Sequence, residues 1–387
     1  AAVIIDPGLE DLADVSRDQG AKVIFLGTEY EGLLARAASS TPAVTVPEQC
    51  SFSICYTSGT TGTPKGVLLP HRSRALVALA AAVEFQCFDR NDRFLSLAPL
   101  YHGAGFAFAM AAVSFGGSCV LFNRPEPDLI LDRLGQGDIS SVFIVPTHFK
   151  RIFDLPEARF DGFSKRHGLK TIISNAAALA QNFKELTVRH FGDGLLHETY
   201  GSTEGGIIST IFPEEILRKP GSVGTPFINT EVEIRREDGS PCDPGEVGEL
   251  HSRSPYTFNG YLNRPEETAE VLVDDWVTVH DLAFRDEEGF ITISGRKKDM
   301  VVSGGVNIYP AEIEAVIMRQ PNVVEVAVVG LPDEEWGERL HAFIVGSGGP
   351  LPSESEIIAA CRDKLSGNKV PKGVTVIEEL PRNASGK

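Results

Sequence analysis

The chain has 387 residues, 42% of them hydrophobic and 23% charged, with a formal net charge of −17. That length exceeds one ordinary hydrophobic core, and the composition describes a soluble globular protein of two or more domains, which excludes disordered and fibrous classes. The acidic balance disfavours nucleic acid or an anionic membrane as the main partner, because both require a basic face. The cysteines Cys50, Cys55, Cys87, Cys119, Cys242 and Cys361 form no CxxC pair and no metal-type spacing with histidine. They indicate reduced thiols of a cytoplasmic protein, with neither a disulfide framework nor a zinc site.

In chain order, the opening Ala-Ala-Val-Ile-Ile reads as a strand already inside a fold, with no signal peptide ahead of it. Up to about residue 205, strand-like apolar runs at 23–26, 52–55, 94–98, 119–122, 142–145, 171–174 and 195–200 alternate with helical patterns. The helices are expected near 72–85, 106–115, 127–136, 147–154 and 178–191. Such alternation predicts an α/β fold of mostly parallel sheets covered by helices, with ligand sites at the carboxyl ends of the strands. The stretch from Phe94 to Asn123 has no Asp, Glu, Lys or Arg and is long enough by count to span a bilayer. Pro99, His102, Gly103, Gly105 and the pair Gly116-Gly117 break it instead into strand, helix and strand, so no integral membrane segment is expected.

From about 221 to 294 the texture changes to short strands at 231–235, 248–252, 276–279 and 290–294, separated by Gly, Pro and Asp turns. A small antiparallel barrel or sheet is expected there. After the polar segment Gly295-Arg-Lys-Lys-Asp299, a small α+β domain is expected, with strands at 300–303, 323–329, 341–345 and 374–377 and helices at 310–319 and 353–365. The expected division is therefore 1–298 and 299–387.

Residues 56 to 66 read Tyr-Thr-Ser-Gly-Thr-Thr-Gly-Thr-Pro-Lys-Gly. Glycines at 59, 62 and 66 let backbone N–H groups converge, while Thr57, Ser58, Thr60, Thr61 and Thr63 add hydroxyl donors and Lys65 a positive charge. That is the chemistry of a phosphate cradle, rather than of a Ser/Gly linker. It is not the common P-loop, which needs Gly-Lys-Ser/Thr in sequence.

Further segments join this loop: Tyr200-Gly-Ser-Thr-Glu204, Trp276-Val-Thr-Val-His-Asp281, Gly295-Arg296, Ser303-Gly-Gly-Val-Asn-Ile-Tyr-Pro310 and Pro381-Arg-Asn-Ala-Ser-Gly-Lys387. Together they resemble the adenylate-forming superfamily of acyl- and aryl-CoA synthetases, peptide-synthetase adenylation domains and insect luciferases, and most of all its acyl/aryl-CoA ligase branch. The resemblance runs the length of the chain. It implies an AMP-forming acid–thiol ligase using ATP, Mg²⁺ and coenzyme A, in which a fatty or aryl carboxylate becomes acyl-AMP and then acyl-CoA.

The same resemblance implies the roles of single residues. Thr57, Ser58, Gly59, Thr60, Thr61, Gly62 and Lys65 would hold the departing phosphates. Tyr200 would stack on adenine against Asn175, Ala176 and Ala177, with Glu198 accepting from the adenine amino group; Gly201 and Ser202 complete that wall. Thr203 would bond the α-phosphate and Glu204 would bind Mg²⁺ as a hard oxygen ligand. Asp281 would accept from the ribose hydroxyls and Arg296 would contact the sugar or phosphate. His102 would lie near the reacting carboxylate, in an acyl pocket shared with Phe106, Met110, His148 and Asn175. Lys387 would bridge that carboxylate and the α-phosphate. Gly304 and Gly305 would flank the CoA tunnel, and Lys298-Asp299 would be the hinge of a mobile small domain.

Two departures stand out. The usual Thr-Gly-Asp is Val279-His280-Asp281, in which His280 is expected to point into solvent rather than intrude on the ribose. Amino-acid-activating members supply an aspartate near 94–123 that is absent here, which favours a simple fatty or aryl acid. A carrier protein in place of free CoA, and a nucleotide-binding remnant without turnover, are the rival readings; a homodimer is left open. Only 55 residues precede the loop, so an N-terminal subdomain is expected to be missing, and the natural chain is expected to continue past Lys387, where a terminal carboxylate would weaken the lysine's attraction for an anion.

Overall fold

The computed structural model describes residues 2–57, 64–122 and 125–381. The chain divides at Pro47/Glu48. The first unit is a parallel pair, Ala2–Ile5 with Lys22–Phe25 in the register Val3 to Val23, carrying the helices Asp11–Asp18 and Thr28–Arg36. Asp6 starts its first turn by accepting from the Gly8 amide at 2.8 Å.

In the second unit a 13-stranded sheet among the described residues forms the frame of the site. Its parallel part runs, side by side, through Ser118–Leu121, Arg93–Ser96, Ser141–Phe143, Thr171–Ser174 and Leu196–Ser202. These strands are short and apolar because both faces are covered, so they read as continuous hydrophobic runs rather than alternations. Leu95, Val142, Ile172 and Leu196 are buried on one side with Phe149, Ile152 and Phe191; Phe94, Phe143 and Ile173 are buried on the other with Val77, Ala81 and Phe108. Truncating a ring such as Phe149 to alanine is expected to cost about 3–5 kcal/mol.

The charge-free stretch becomes strand Arg93–Ser96, the 12-residue helix Gly103–Ser114 and strand Ser118–Leu121. Among the described residues no helix is long and apolar enough to cross a membrane. The six cysteines are unpaired, with Cys87 and Cys361 buried.

At Leu196–Ser202 the sheet switches sense. Gly206–Ile211 returns antiparallel to it, pairing Ser202 with Gly206, and a Cβ at Gly201 would lie 2.1 Å from the Gly206 carbonyl oxygen, so this tight return requires glycine. Ser222–Pro226 then links the parallel part to Ile291–Arg296, Asp281–Arg285 and Gly248–Arg253. The antiparallel section expected from the sequence is thus a continuation of the same sheet.

One expectation is corrected. The strand before the phosphate loop is expected among the parallel strands, but Ser51–Thr57 pairs antiparallel with Lys65–Pro70 in a two-stranded hairpin of its own. The run Lys65 to Pro70 is therefore a strand leading into the helix His71–Glu84.

After a 3-10 turn at Lys297–Asp299, the last part of the chain builds a separate five-stranded sheet around Val323–Asp333 and Gly337–Gly346. Its own core includes Val301, Ile313, Ile317, Leu340, Ile344 and Ile357. The helix Glu354–Lys364 begins with a capping box, Ser353 and Glu356 satisfying each other's end of the first turn.

Candidate active site

The switch in strand sense leaves a crevice at the carboxyl ends of Thr171–Ser174 and Leu196–Ser202, where α/β sheets gather their ligands. A cavity of about 380 Å³ opens there, lined by His102, Asn175 to Ala177, Tyr200 to Thr203, Asp281 and Arg296. Segments distant in sequence meet at it.

Asn175 anchors its wall by donating from Nδ2 to the Thr199 carbonyl at 3.0 Å. Ala176 follows with φ 81°, a left-handed conformation unusual for a residue with a Cβ. Such strain collects at ligand sites. Opposite, the Tyr200 hydroxyl donates to Asp281 Oδ2 at 2.6 Å. Burial, and then the Asp281 charge, pushes the Tyr200 pKa well up, so the phenol stays a donor at neutral pH. Asp281 and Arg296 face each other across paired strands, with Arg296 Nε 3.4 Å from Asp281 Oδ1. The aromatic face, the carboxylate and the guanidinium expected around an adenosine are one connected group.

Glu204 is buried, 8% exposed, and its Oε1 accepts from the Tyr261 hydroxyl at 2.8 Å. Lys65 lies 5.0 Å from the Tyr261 ring centroid and pairs with Glu267 at 2.5 Å. Tyr261 therefore stands between the expected metal ligand and the expected phosphate lysine. Nothing in the sequence flagged it, since it is 57 residues from Glu204. The donor set suits Mg²⁺, which takes one or two carboxylates and fills its shell with water and phosphate oxygens. Among the described residues no group of three His, Cys, Asp or Glu forms a closed metal cage.

Two further residues have partners that the sequence did not indicate. Glu198 lines the cavity, but its Oε2 pairs with buried Lys184 at 2.5 Å and its Oε1 accepts from the Leu179 amide at 2.8 Å. Both of its oxygens thus have partners inside the protein, while the residue still lines the cavity. His280 is exposed, as expected, and with φ 62° it also turns its Nδ1 to Glu249 at 2.7 Å. Glu249 also accepts from Thr278 at 2.8 Å and pairs with Lys297 at 3.0 Å. The His280 hydrogen bond is the main cause that holds the Glu249 carboxyl at about 2, and it raises the His280 pKa in return.

The acyl residues divide. His102 and Asn175 line the nucleotide cavity, while Phe106 and Met110 line a second cavity of about 360 Å³ beside it. His148, half-buried, lines neither; burial, then Arg151, pushes its pKa down to about 4. Gly304 (φ 58°) and Gly305 (φ 77°) form the turn of the hairpin Val301–Ser303 with Val306–Ile308. A Cβ on Gly304 would lie 2.7 Å from the Trp336 ring, so backbone and indole touch directly there. Lys298 and Asp299 are exposed in the turn between the two sheets. Ser58, Gly59, Thr60, Thr61, Gly62, Thr63 and Lys387 lie outside the described residues.

Comparison with known proteins agrees with this geometry. The AMP-binding enzyme family matches residues 2–262, and the AMP-binding enzyme C-terminal domain matches residues 312–387. The 2-succinylbenzoate–CoA ligase of Geobacillus kaustophilus is 34% identical over 390 residues, covering 96% of this chain and 77% of the relative. The indoleacetate–CoA ligase of Aromatoleum aromaticum is 32% identical, covering 100% of this chain and 77% of the relative. The crystal structure of ATP-bound MatB from Rhodopseudomonas palustris superposes with a TM-score of 0.90 at 30% identity, over 100% of this chain and 76% of that one. With matches over both its large and its C-terminal parts, the chain belongs to the AMP-binding enzyme family.

Proposed function

We propose that this enzyme joins an aryl or fatty acid to coenzyme A in two half-reactions at the cavity described above. The reaction is AMP-forming acid–thiol ligation. A carboxylate oxygen attacks the α-phosphorus of ATP and the bond to the bridging oxygen breaks, releasing pyrophosphate. The thiol sulfur then attacks the acyl carbon, AMP departs, and the thiol proton is released. The carrying observation is the Tyr200–Asp281–Arg296 group facing Asn175–Ala177, which offers an aromatic face, a hydroxyl acceptor and a cation at one cavity.

In this reading Tyr200 and Ala176 flank the adenine, Asp281 accepts from the ribose and Arg296 neutralises sugar-side phosphate charge. Thr203 donates to the α-phosphate. Bound Mg²⁺ would add positive charge at the phosphates. Glu204 would hold it, with Tyr261 fixing the carboxylate's orientation. Lys65 exchanges Glu267 for a phosphate oxygen, and Lys387 joins the reacting carboxylate to the α-phosphate. Catalysis is then mostly positioning and charge neutralisation. The ring-bearing acids named in the two relatives, together with the Phe52 and Phe106 side chains of the second cavity, support an aryl substrate.

Free CoA is the proposed acceptor, supported by the relatives' names; product forming only with a phosphopantetheinylated carrier would exclude it. The domains are proposed as 1–298 and 299–387, with rotation at Lys298-Asp299 exchanging Lys387 for Gly304 and Gly305 between half-reactions. Asp299→Pro then impairs thioester formation far more than ATP–pyrophosphate exchange, and equal losses contradict the hinge. Acid-dependent exchange across aryl and fatty acids tests the whole reading; its absence with every acid rejects it.

A further inference from the structure

The nucleotide cavity and the second cavity share a wall made of Arg74, Ala78 and Ala107, from the helices His71–Glu84 and Gly103–Ser114. Around that wall the second cavity is almost wholly apolar, with Phe52, Phe106, Met110 and Phe115. Its polar side chains are His71, Ser114 and Arg74, and of these only Arg74 carries a permanent charge. Arg74 Nε donates to Ser73 Oγ at 3.2 Å, but its Nη2 is sealed from solvent with no acceptor among the described residues. No described carboxylate forms an ion pair with it. Arg74 as a whole is half-buried, whereas Lys184, the deeply buried lysine of this unit, has Glu198 at 2.5 Å.

A guanidinium presents five donors, stays charged at any physiological pH and is costly to hold out of water unpaired. Burial also lowers the Arg74 pKa, which marks the lost solvation. An apolar wall interrupted by one unsatisfied arginine is how a pocket recognises a hydrophobic molecule with an anionic end. The acid's reacting carboxyl is placed near His102 and the nucleotide, while Arg74 also borders the second cavity, where a further charge on the substrate would meet it.

We propose that Arg74 is the specificity residue of the acyl pocket and selects acids carrying a second anionic group, such as a second carboxylate, across an apolar or aryl spacer from the reacting one. This deepens the ligase reading and rests on it. The second carboxylate accepts from the Arg74 guanidinium, and Phe52 and Phe106, stacked at 6.0 Å, line the cavity that takes the spacer.

The test is ATP–pyrophosphate exchange by the 387-residue protein with matched acids: hexanoate against adipate, and 3-phenylpropanoate against 3-(4-carboxyphenyl)propanoate. The wild type is expected to prefer a diacid over its monoacid by at least about tenfold in kcat/KM, the size of a charge-assisted hydrogen bond. Arg74→Leu is expected to abolish that ratio and Arg74→Lys to keep part of it. Thermal unfolding gives a second readout: the diacid raises the wild-type Tm more than the monoacid does, and Arg74→Leu removes the difference. Wild-type exchange with monoacids alone, or loss of both acids in equal proportion in Arg74→Leu, overturns the inference while leaving the ligase reading intact. The equal loss would assign Arg74 to the nucleotide. No exchange with any acid overturns the ligase reading, and this inference with it.

Discussion

Among the residues proposed to hold ribose and phosphate, acids and bases meet partners inside the protein. Tyr200 donates to Asp281, Tyr261 donates to Glu204 and Lys65 pairs with Glu267. The proposed acyl side, between the helices His71–Glu84 and Gly103–Ser114, has alanines, phenylalanines, His71, Ser114 and one arginine with no described carboxylate partner. The difference follows from what each side must hold. ATP is the same in every turnover, so its groups can be held ready by internal partners that a ligand displaces or shares. The acid is the variable, and its side is shaped by apolar surface with one charge left for the substrate to answer.

The comparison breaks most readily at Glu198. If this residue belongs to the frame rather than to adenine recognition, Glu198→Ala strands the buried Lys184 charge and lowers stability by about 3–5 kcal/mol. Denaturant titration checks this; an unchanged midpoint with a raised KM for ATP returns Glu198 to the adenine. Next in size, Lys387→Ala is expected to slow adenylation by about 10²–10³-fold, the usual loss of one transition-state donor, and Lys65→Ala by less. In the proposed mechanism Lys65 holds a departing group while Lys387 touches the reacting centre, so the reverse order in exchange assays contradicts this division.

A smaller effect sharpens the same side. Tyr261→Phe removes only a hydroxyl, leaving Glu204 without its orienting donor. KM for magnesium-ATP should rise by about tenfold, in line with other residues that orient metal ligands, with little change in KM for the acid. A shift in the acid's KM alone would move Tyr261 to the acyl side.

The smallest effect concerns pH. His280, raised above its ordinary value by Glu249, contributes stability that is complete below that value and is lost as pH rises through the raised one. Glu249, held at about 2, contributes above the ordinary carboxylate range and loses its contribution only as pH falls toward 2. Glu249 also faces Thr278 and Lys297, while Glu270 further raises His280. Because His280 is exposed, the wild-type Tm should decline only slightly from about pH 6.5 upward. His280→Gly, which also relieves the φ of 62°, should flatten that decline; identical profiles would show that the pair contributes nothing.

Local features were legible in the sequence. Runs such as 171–174 became the strand Thr171–Ser174, and the helical pattern at 178–191 became Gln181–Phe191, because hydrophobic period and breakers are local properties. Asn175, Tyr200, Asp281 and Arg296 do meet at one cavity, as their motifs implied. Pairings that depend on long-range geometry were hidden. The hairpin Ser51–Thr57 with Lys65–Pro70 was read as a single strand, because the loop composition masked the second. Tyr261, Glu249, Lys184 and the unpaired Arg74 carry no motif of their own. They gain meaning only from what the fold sets beside them: Glu204, His280, Glu198 and an apolar cavity.

The most direct test of the central claim is product analysis with purified protein, ATP, Mg²⁺, CoA and a panel of aryl and fatty acids. The account predicts AMP and pyrophosphate in equal amounts with acyl-CoA, formed only when acid and CoA are both present. ADP and phosphate as products, or nucleotide turnover that no acid stimulates, would contradict it.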